Sequence, residues 1–170
     1  MVKIKYYILY MKEKKIQKKL NPKIEITNNL VNNKNNSELE KNNKKEKSIL
    51  INHFLELLLI VKVYHWKTHS YAEHKATDEY YKQLNENIDR FVEVMLGKKE
   101  SRLNMKNKSI LFSDPSSKTE FIKLMNKYIE LLQDKMSLYI NISRNTDLLT
   151  IRDEILADSN QLLYLLTFNK

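Results

Sequence analysis

The sequence predicts an all-α fold, a four-helix bundle with a long crossover between its second and third helices, and three observations carry this prediction. The 170 residues include one glycine and two prolines, which leaves little material for the tight turns of a sheet protein. Apolar residues recur at helical spacing in four stretches. Two Ser-x-x-Glu boxes, at Ser70 and Ser117, mark helix starts. We therefore expect one helical domain at residues 48–170, preceded by a tail at residues 1–47.

The predicted tail is rich in lysine and asparagine and has no sustained apolar period. Residues 1–48 hold 13 Lys against 5 Glu, a net charge of +8 out of +9 for the whole chain. We predict a disordered arm, and two interpretations stay open: a solubilising segment, or a flexible polycation that neutralises nucleic-acid phosphates. In the second interpretation the DNA-binding residues are Lys12, Lys14, Lys15, Lys18, Lys19, Lys44, Lys45 and Lys47.

Composition also excludes several classes of protein. The chain has no cysteine, so disulfides, thiolate chemistry and cysteine-ligated metals are ruled out. The longest apolar run, residues 54–63, contains Glu56 and Lys62 and is shorter than the roughly 18–20 residues of a membrane span. We therefore expect no membrane segment. The short apolar stretch near the N-terminus is not followed by a small-residue cleavage site, so we expect no secretory signal either.

The first two helices are predicted as a hairpin. The first should cover residues 48–67 and is apolar on nearly every side, which is typical of a helix buried by its own bundle and by neighbours. The Ser70–Glu73 box starts the second helix at about Tyr71, after a very short turn. This helix should end near Leu96, with Gly97 as its C-terminal cap. Its buried face is predicted to consist of Tyr80, Tyr81, Leu84, Ile88, Phe91 and Met95.

The second pair of helices follows a long connection. Residues 98–116 are mixed and polar, long enough to cross the bundle and to hold a short extra helix. A third helix should run from Ser117 to about residue 143, and a fourth should open at Asn145 or Thr146. Its buried candidates are Leu148, Leu149, Ile151, Ile155, Leu156, Leu162, Leu163, Leu165 and Leu166. Four helices with one long crossover are the arrangement of a ferritin-like bundle.

A strip of polar residues on the second helix is the most informative feature for function. At about 100° per residue, taking His74 as zero places Asp78 near 40°, Asp89 near 60° and Glu93 near 100°. His65 lies at the end of the preceding helix. The strip lies beside the predicted buried face, not opposite it. A second subunit can therefore close over it.

Imidazole and carboxylate ligands without sulfur suit iron, manganese or zinc. Two interpretations of the strip stay open: a metal site, or a solvated charged face in which Lys82, near 80° in the same strip, neutralises the acids. The chain lacks the Glu-x-x-His pair of an intra-bundle di-iron site, and also HExxH, Gly-rich phosphate loops and GxSxG. Metalloprotease, nucleotide-binding and serine-hydrolase functions therefore have no support.

These residues resemble Dps, the DNA-binding protein from starved cells, a ferritin-like mini-cage. The segment YHWKT at residues 64–68 is similar to the ending of that family's first helix, His-Trp-Asn. His74, Asp78, Asp89 and Glu93 fall at the intervals of its second helix, and residues 145–168 are similar to its last helix. The likeness is closest to a Dps-like branch found in large DNA viruses and phages.

The resemblance implies a ferroxidase centre between two subunits. One subunit would supply His65, His74 and Asp78, and its partner Asp89 and Glu93. The metal would be iron, oxidised by peroxide or dioxygen. The protein would be a homo-oligomer, with a dimer as the minimal unit of a dodecameric cage, in the cytoplasm, at the nucleoid or inside a virion. A lysine-rich tail would attach the cage to DNA.

The chain also departs from the family. Its two histidines are nine residues apart, fewer than is usual, because the turn between the helices is shortened. His69, in that turn, is a further candidate ligand, and Trp66 is either a local electron donor or a packing residue. Residues 98–116 match the family poorly. A metal-free bundle with a structural or nucleic-acid-packaging role stays open as the alternative function.

Overall fold

The computed structural model describes residues 45–98, 102–105 and 109–168. These residues form no strand and four α-helices, which confirms the all-helical prediction: α1 (Lys45–Lys67), α2 (Tyr71–Gly97), α3 (Lys118–Asp134) and α4 (Thr146–Leu165). Two short 3₁₀ helices, Met136–Leu138 and Ile142–Arg144, connect α3 to α4. The described helices belong to one compact unit, Lys44–Lys170. The predicted arm, as far as residue 44, lies outside the described residues.

α1 and α2 form an antiparallel hairpin around two aromatic rings. Phe54 and Phe91 meet edge to face with their centroids 5.1 Å apart. One turn further along α2, Lys47 Nζ donates to the carbonyl oxygen of Met95 at 3.3 Å. The predicted buried face of α2 is confirmed, with Tyr81 alone only partly buried. Residues 45–47, which the sequence assigned to the arm, are part of α1.

The other two helices complete the core. α3 packs on α1, where the rings of Tyr64 and Phe121 stack with centroids 4.0 Å apart. α4 packs on α2, where the Tyr80 hydroxyl lies 2.8 Å from Ser159 Oγ. Because Ser159 donates its own proton to the Ile155 carbonyl, Tyr80 is the donor in that bond. The largest fully buried side chains come from all four helices and include Leu57, Leu84, Met125, Leu132 and Leu148.

Both predicted helix starts are confirmed, but each capping box is only half closed. Ser70 Oγ accepts a hydrogen bond from Glu73 N at 3.3 Å, and Ser117 Oγ accepts one from Glu120 N at 3.2 Å. The return bond of a full box is missing, because the Glu120 carboxylate accepts from Ser116 N and Oγ instead, at 2.8 and 2.7 Å. The Glu73 carboxylate likewise accepts hydrogen bonds from other groups, the hydroxyls of Tyr64 and Thr68.

Three details of the predicted helices are corrected. Gly97 is the last residue of α2 and not its cap, and the cap residue has φ −58° and ψ −21°, a right-handed conformation that needs no glycine. α3 ends at Asp134, about one and a half turns after the buried Tyr128, and not near residue 143. Met136 and Ile140 still reach the core from 3₁₀ and turn structure, so the apolar period continued where the α-helix did not. Leu165 is exposed and not buried.

Part of the connection between α2 and α3 is bound to α1 by hydrogen bonds and an ion pair. Among the described residues 102–105 and 109–116 there is no helix, so the short extra helix is not found there. Three contacts hold the second of these pieces: Ser109 O with Asn52 Nδ2 (3.2 Å), Leu111 N with Glu56 Oε1 (3.3 Å) and Asp114 Oδ1 with Lys67 Nζ (2.7 Å). Residues 109–114, called the strap below, therefore run beside α1 and in the same direction.

Of the described helices, α1 alone is long and apolar enough to cross a membrane, although Glu56 and Lys62 had counted against this in the sequence. Within the bundle, 56% of the apolar 18-residue segment of α1 is buried. A core helix of a water-soluble protein has the same length and composition, so the signal is weak evidence for a membrane span.

Candidate metal centre

The turn between α1 and α2 is clamped by the carboxylate of Glu73. This carboxylate accepts hydrogen bonds from the Tyr64 hydroxyl (2.6 Å) and the Thr68 hydroxyl (2.7 Å), and pairs with Lys118 Nζ at 3.0 Å. Burial acts to raise the pKa of Glu73, but these three donors outweigh it and hold the pKa below its usual value. An ionised Glu73 thus fixes the connection of only three residues between the helices.

That connection brings His65 and His74 face to face. Their rings stack with centroids 3.9 Å apart and an interplanar angle of 24°. His65 Nδ1 lies 3.1 Å from the His74 carbonyl oxygen, and His74 Nδ1 lies 3.1 Å from the His65 carbonyl oxygen. A carbonyl can only accept, so each Nδ1 carries a proton and each neutral ring keeps its free lone pair on Nε2. Backbone carbonyls prepare metal-binding histidines in the same way.

The environment favours the neutral imidazole of His65. His65 is buried. Burial lowers its pKa, although the bond to the His74 carbonyl acts in the opposite direction. Two cationic rings in a stack would also repel each other. Both effects favour the neutral form of His65, which is the form that binds a metal.

Asp78 is the first acid of the strip, and in the single chain it has a cationic partner. Its Oδ2 lies 3.1 Å from Lys82 Nζ, one turn further along α2. The hydrogen bond from Lys82 is the main reason that the pKa of Asp78 is lowered. This contact is the one that the charged-face interpretation expected. An exposed pair of this kind contributes little, so a metal ion can displace the ammonium.

Asp89 and Glu93 lie apart from the histidines. Both are exposed, and within the described part of the chain neither pairs with a lysine or an arginine. Eleven residues separate Asp78 from Asp89, which is about 16 Å along a helix axis. No group of three or more His, Asp or Glu side chains among the described residues is close enough to hold a metal ion. One chain therefore brings together the two histidines but not the five candidate ligands.

The remaining candidates occupy the outer surface. Trp66 is exposed, and Lys62 Nζ lies 5.7 Å from the Trp66 ring and 4.5 Å from the Tyr81 ring. Trp66 therefore does not pack into the core of this chain. His69 is exposed in the turn. Of the predicted DNA-binding lysines, Lys45 and Lys47 lie in α1, and the other six lie outside the described residues.

A family model described as "Family of unknown function (DUF5856)" matches residues 65–166, more than half of the chain. The chain belongs to this family. The DUF5856 match begins at His65. It therefore contains the five candidate ligands, His69 and Trp66, and it leaves out the basic arm. No curated protein and no solved structure matches the chain.

Sequence reasoning missed Thr77, a buried residue of α2 that contacts the histidine pair. Thr77 is completely buried, and its hydroxyl donates to the Glu73 carbonyl at 2.7 Å. The same oxygen lies 3.3 Å from His65 Nδ1, where it is a second acceptor for that proton. The available signal was its position three residues after His74 and four after Glu73 on the same side of α2.

The hydrogen bonds at the pair predict the tautomer of both histidines. In the metal-free protein near pH 7.5 we expect the proton on Nδ1 in His65 and in His74, because a carbonyl faces each Nδ1. Long-range ¹H–¹⁵N spectra of the rings measure this directly, with exposed His69 as the internal reference. An Nε2-protonated ring at either position contradicts the arrangement.

Proposed function

We propose that this chain is a Dps-like protein, a ferritin-like four-helix bundle that forms homo-oligomers, binds iron between subunits and oxidises Fe(II). The observation that carries the proposal is the His65–His74 stack, in which two backbone carbonyls hold both rings with Nε2 free. Among the described residues neither Nε2 has a hydrogen-bond partner, and a histidine pair with a purely structural role has no need of two such nitrogens.

The directions of the helices support the ferritin-like topology. α1 is antiparallel to α2. It is also antiparallel to α3, since Tyr64 near its end stacks on Phe121 near the start of α3, while Glu56 further back accepts from Tyr128. α2 and α3 then point the same way. The connection after Lys98 has to return along the bundle, over roughly 40 Å for a helix of this length. In our proposal this return would be the long crossover of the ferritin arrangement.

The need for a second subunit follows from the spacing on α2. The histidine half of the strip, with Asp78, and the acidic half, Asp89 and Glu93, share one side of α2 but lie at different levels. Two α2 helices related by a two-fold axis perpendicular to them run antiparallel, so the acidic half of each can face the histidine half of the other. The strip would then form two identical centres per dimer.

In this proposal Fe(II) is the substrate. Imidazole nitrogen and carboxylate oxygen are ligands that suit iron, and the carboxylates stabilise the higher charge of Fe(III). With hydrogen peroxide, two Fe(II) ions supply two electrons, and peroxide with two protons becomes two waters. Where only one Fe(II) reacts with a peroxide, the exposed Trp66, beside His65, would supply the second electron in this proposal. Fe(III) would then be stored within the oligomer.

The binding of Fe(II) tests the proposal. We expect wild-type protein, titrated without oxygen, to bind Fe(II), and His74→Asn to weaken binding by about tenfold or more, because losing a ligand costs at least as much as losing an outer-shell partner. Glu130→Gln, at an exposed carboxylate of α3 outside the strip, is the control and should bind as wild type does. If wild-type protein binds no Fe(II), the proposal is wrong.

A second candidate function has one observation in its favour. The Asp78–Lys82 pair neutralises the first acid of the strip without a metal. In this alternative the protein is a metal-free bundle that packages nucleic acid through its lysine-rich residues, with affinity that falls steeply with salt. DNA binding that is lost on deletion of residues 1–44, in a protein without Fe(II) binding, would favour it.

A further inference from the structure

The histidine pair lies directly beside a second contact between the same two helices. Tyr64 precedes His65 and Glu73 precedes His74, so the members of both pairs are nine residues apart. The Tyr64 hydroxyl donates to Glu73 Oε2 at 2.6 Å, because an ionised carboxylate can only accept. The end of the α1–α2 hairpin is therefore joined twice, once by this hydroxyl–carboxylate bond and once by the two rings.

The two contacts lie on different sides of the hairpin. Neighbouring side chains on a helix point about 100° apart. Tyr64 is buried in the core, whereas His74 is exposed to solvent. One contact therefore lies on the core side and the other extends towards the surface. Two contacts on different sides of a helix fix its rotation about its own axis, which a single contact does not.

The stacked arrangement of the histidines is sensitive to that rotation. Side chains reach about 6 Å from a helix axis, so turning α1 by about 20° would move an outer atom by about 2 Å. The two bonds from Nδ1 to carbonyl oxygen, one from His65 and one from His74, are each 3.1 Å long. A shift of this size takes such a bond beyond hydrogen-bonding distance. Both rings are held only while the rotation of α1 is fixed.

The Tyr64–Glu73 bond is itself anchored on a third helix. The Tyr64 ring stacks on Phe121 of α3, with centroids 4.0 Å apart and an interplanar angle of 3°, which sets the direction of the hydroxyl. Lys118, at the start of α3, pairs with Glu73 Oε1 at 3.0 Å. Donor and acceptor are therefore each held by a residue of α3 and not only by the hairpin.

Burying the Glu73 carboxylate does not by itself require the Tyr64 hydroxyl. Without it, the Thr68 hydroxyl still donates to Oε2 and Lys118 still pairs with Oε1, so the charge stays satisfied. Thr68, however, lies beyond the end of α1 at Lys67 and constrains only the turn. Among these three donors, the Tyr64 hydroxyl alone ties α1 itself to α2.

We propose that Tyr64 is a positioning residue for the histidine pair. Its hydroxyl, bound to Glu73, sets the rotation of α1 at which both Nδ1 atoms meet their carbonyls and both Nε2 atoms stay free for a metal. Tyr64 does not touch the metal. The inference deepens the proposed function and rests on it for the metal, whereas the geometry of the rings is testable in metal-free protein.

The test removes the hydroxyl and keeps the ring. In metal-free Tyr64→Phe protein near pH 7.5, long-range ¹H–¹⁵N spectra should show both rings as mixtures of tautomers in place of the Nδ1-protonated form. Fe(II) binding should weaken about tenfold, the low end for a group that supports a ligand without touching the metal. Circular dichroism checks that the variant folds.

Tyr128→Phe is the matched control. Tyr128 is a second buried tyrosine of the same core, and its hydroxyl also donates to a buried carboxylate, Glu56 Oε2 at 3.3 Å. Its loss has the same general cost to the core, but it lies away from the histidines. The ring spectra and the affinity for Fe(II) should both stay as in wild type.

A second variant removes the acceptor. Glu73→Ala keeps the start of α2, because the backbone nitrogen of residue 73 still donates to Ser70 Oγ and alanine favours a helix. We expect the same mixture of tautomers in this protein. Wild-type ring spectra in folded Tyr64→Phe or folded Glu73→Ala protein overturn the inference.

The outcomes separate this inference from the proposed function. If wild-type protein binds no Fe(II) but the ring spectra change in Tyr64→Phe, the positioning role stands and the metal centre is wrong. If wild-type protein binds Fe(II), and Tyr64→Phe has wild-type spectra and wild-type affinity, only the positioning role is overturned.

Discussion

Replacing Asp89 and Glu93 together by alanine is expected to reduce protein-dependent Fe(II) oxidation to the rate of iron in buffer. The two carboxylates would supply the partner's half of the centre, and without them Asp78 is the only anionic ligand left to compensate the charge of Fe(III). Both side chains are exposed and, within the described residues, unpaired. Their removal should therefore leave the fold intact. The rate is measured spectroscopically, as the loss of Fe(II) after peroxide is added.

The matched control is a second exposed pair at the same spacing. Glu130 and Asp134 lie four residues apart on α3, outside the strip, and their double alanine variant should oxidise iron at the wild-type rate. Wild-type kinetics in the Asp89→Ala, Glu93→Ala protein would contradict the assignment of these residues.

Mixing two inactive variants tests whether the centre lies between subunits. A protein lacking both histidines keeps its acids, and a protein lacking both acids keeps its histidines. A mixed dimer then rebuilds one of its two centres, so mixing should restore oxidation. A centre contained within one subunit cannot be rebuilt in this way, and no activity would return.

Phe91→Ala is expected to have the largest effect on stability, lowering the free energy of unfolding by about 3–5 kcal/mol. Phe91 is completely buried, and its edge-to-face contact with Phe54 joins α1 to α2. Urea unfolding followed by circular dichroism, at one fixed protein concentration, measures the change. Since assembly adds to apparent stability, the concentration has to be the same for all variants.

Phe112→Ala is the control for that measurement. Phe112 is the same residue type, but it is 51% exposed on the strap. Within a single chain its loss should change the free energy of unfolding by about 0.5 kcal/mol or less. Equal losses for Phe91 and Phe112 would contradict the placement of the core between α1 and α2.

The helices and the strip could be predicted because both depend on spacing along one helix. Apolar residues at helical intervals identified the buried face of α2, and the same geometry placed Asp78, Asp89 and Glu93 on one side of it. Local capping chemistry marked the helix starts at Ser70 and Ser117. The end of α3 was misplaced because 3₁₀ and turn residues such as Met136 keep apolar side chains inward without an α-helical backbone.

By itself, therefore, the sequence determined the all-helical class, the buried face of α2 and the order of residues on its polar strip, because these follow from the pitch of a single helix. Only the tertiary structure decided that His65 and His74 stack with both Nδ1 protons held by carbonyls, that Thr77 lies beneath them, and that Glu56 fastens the strap. Such contacts join residues on different elements. They depend on how the elements pack, and the spacing of residues along one helix does not determine the distance between two elements.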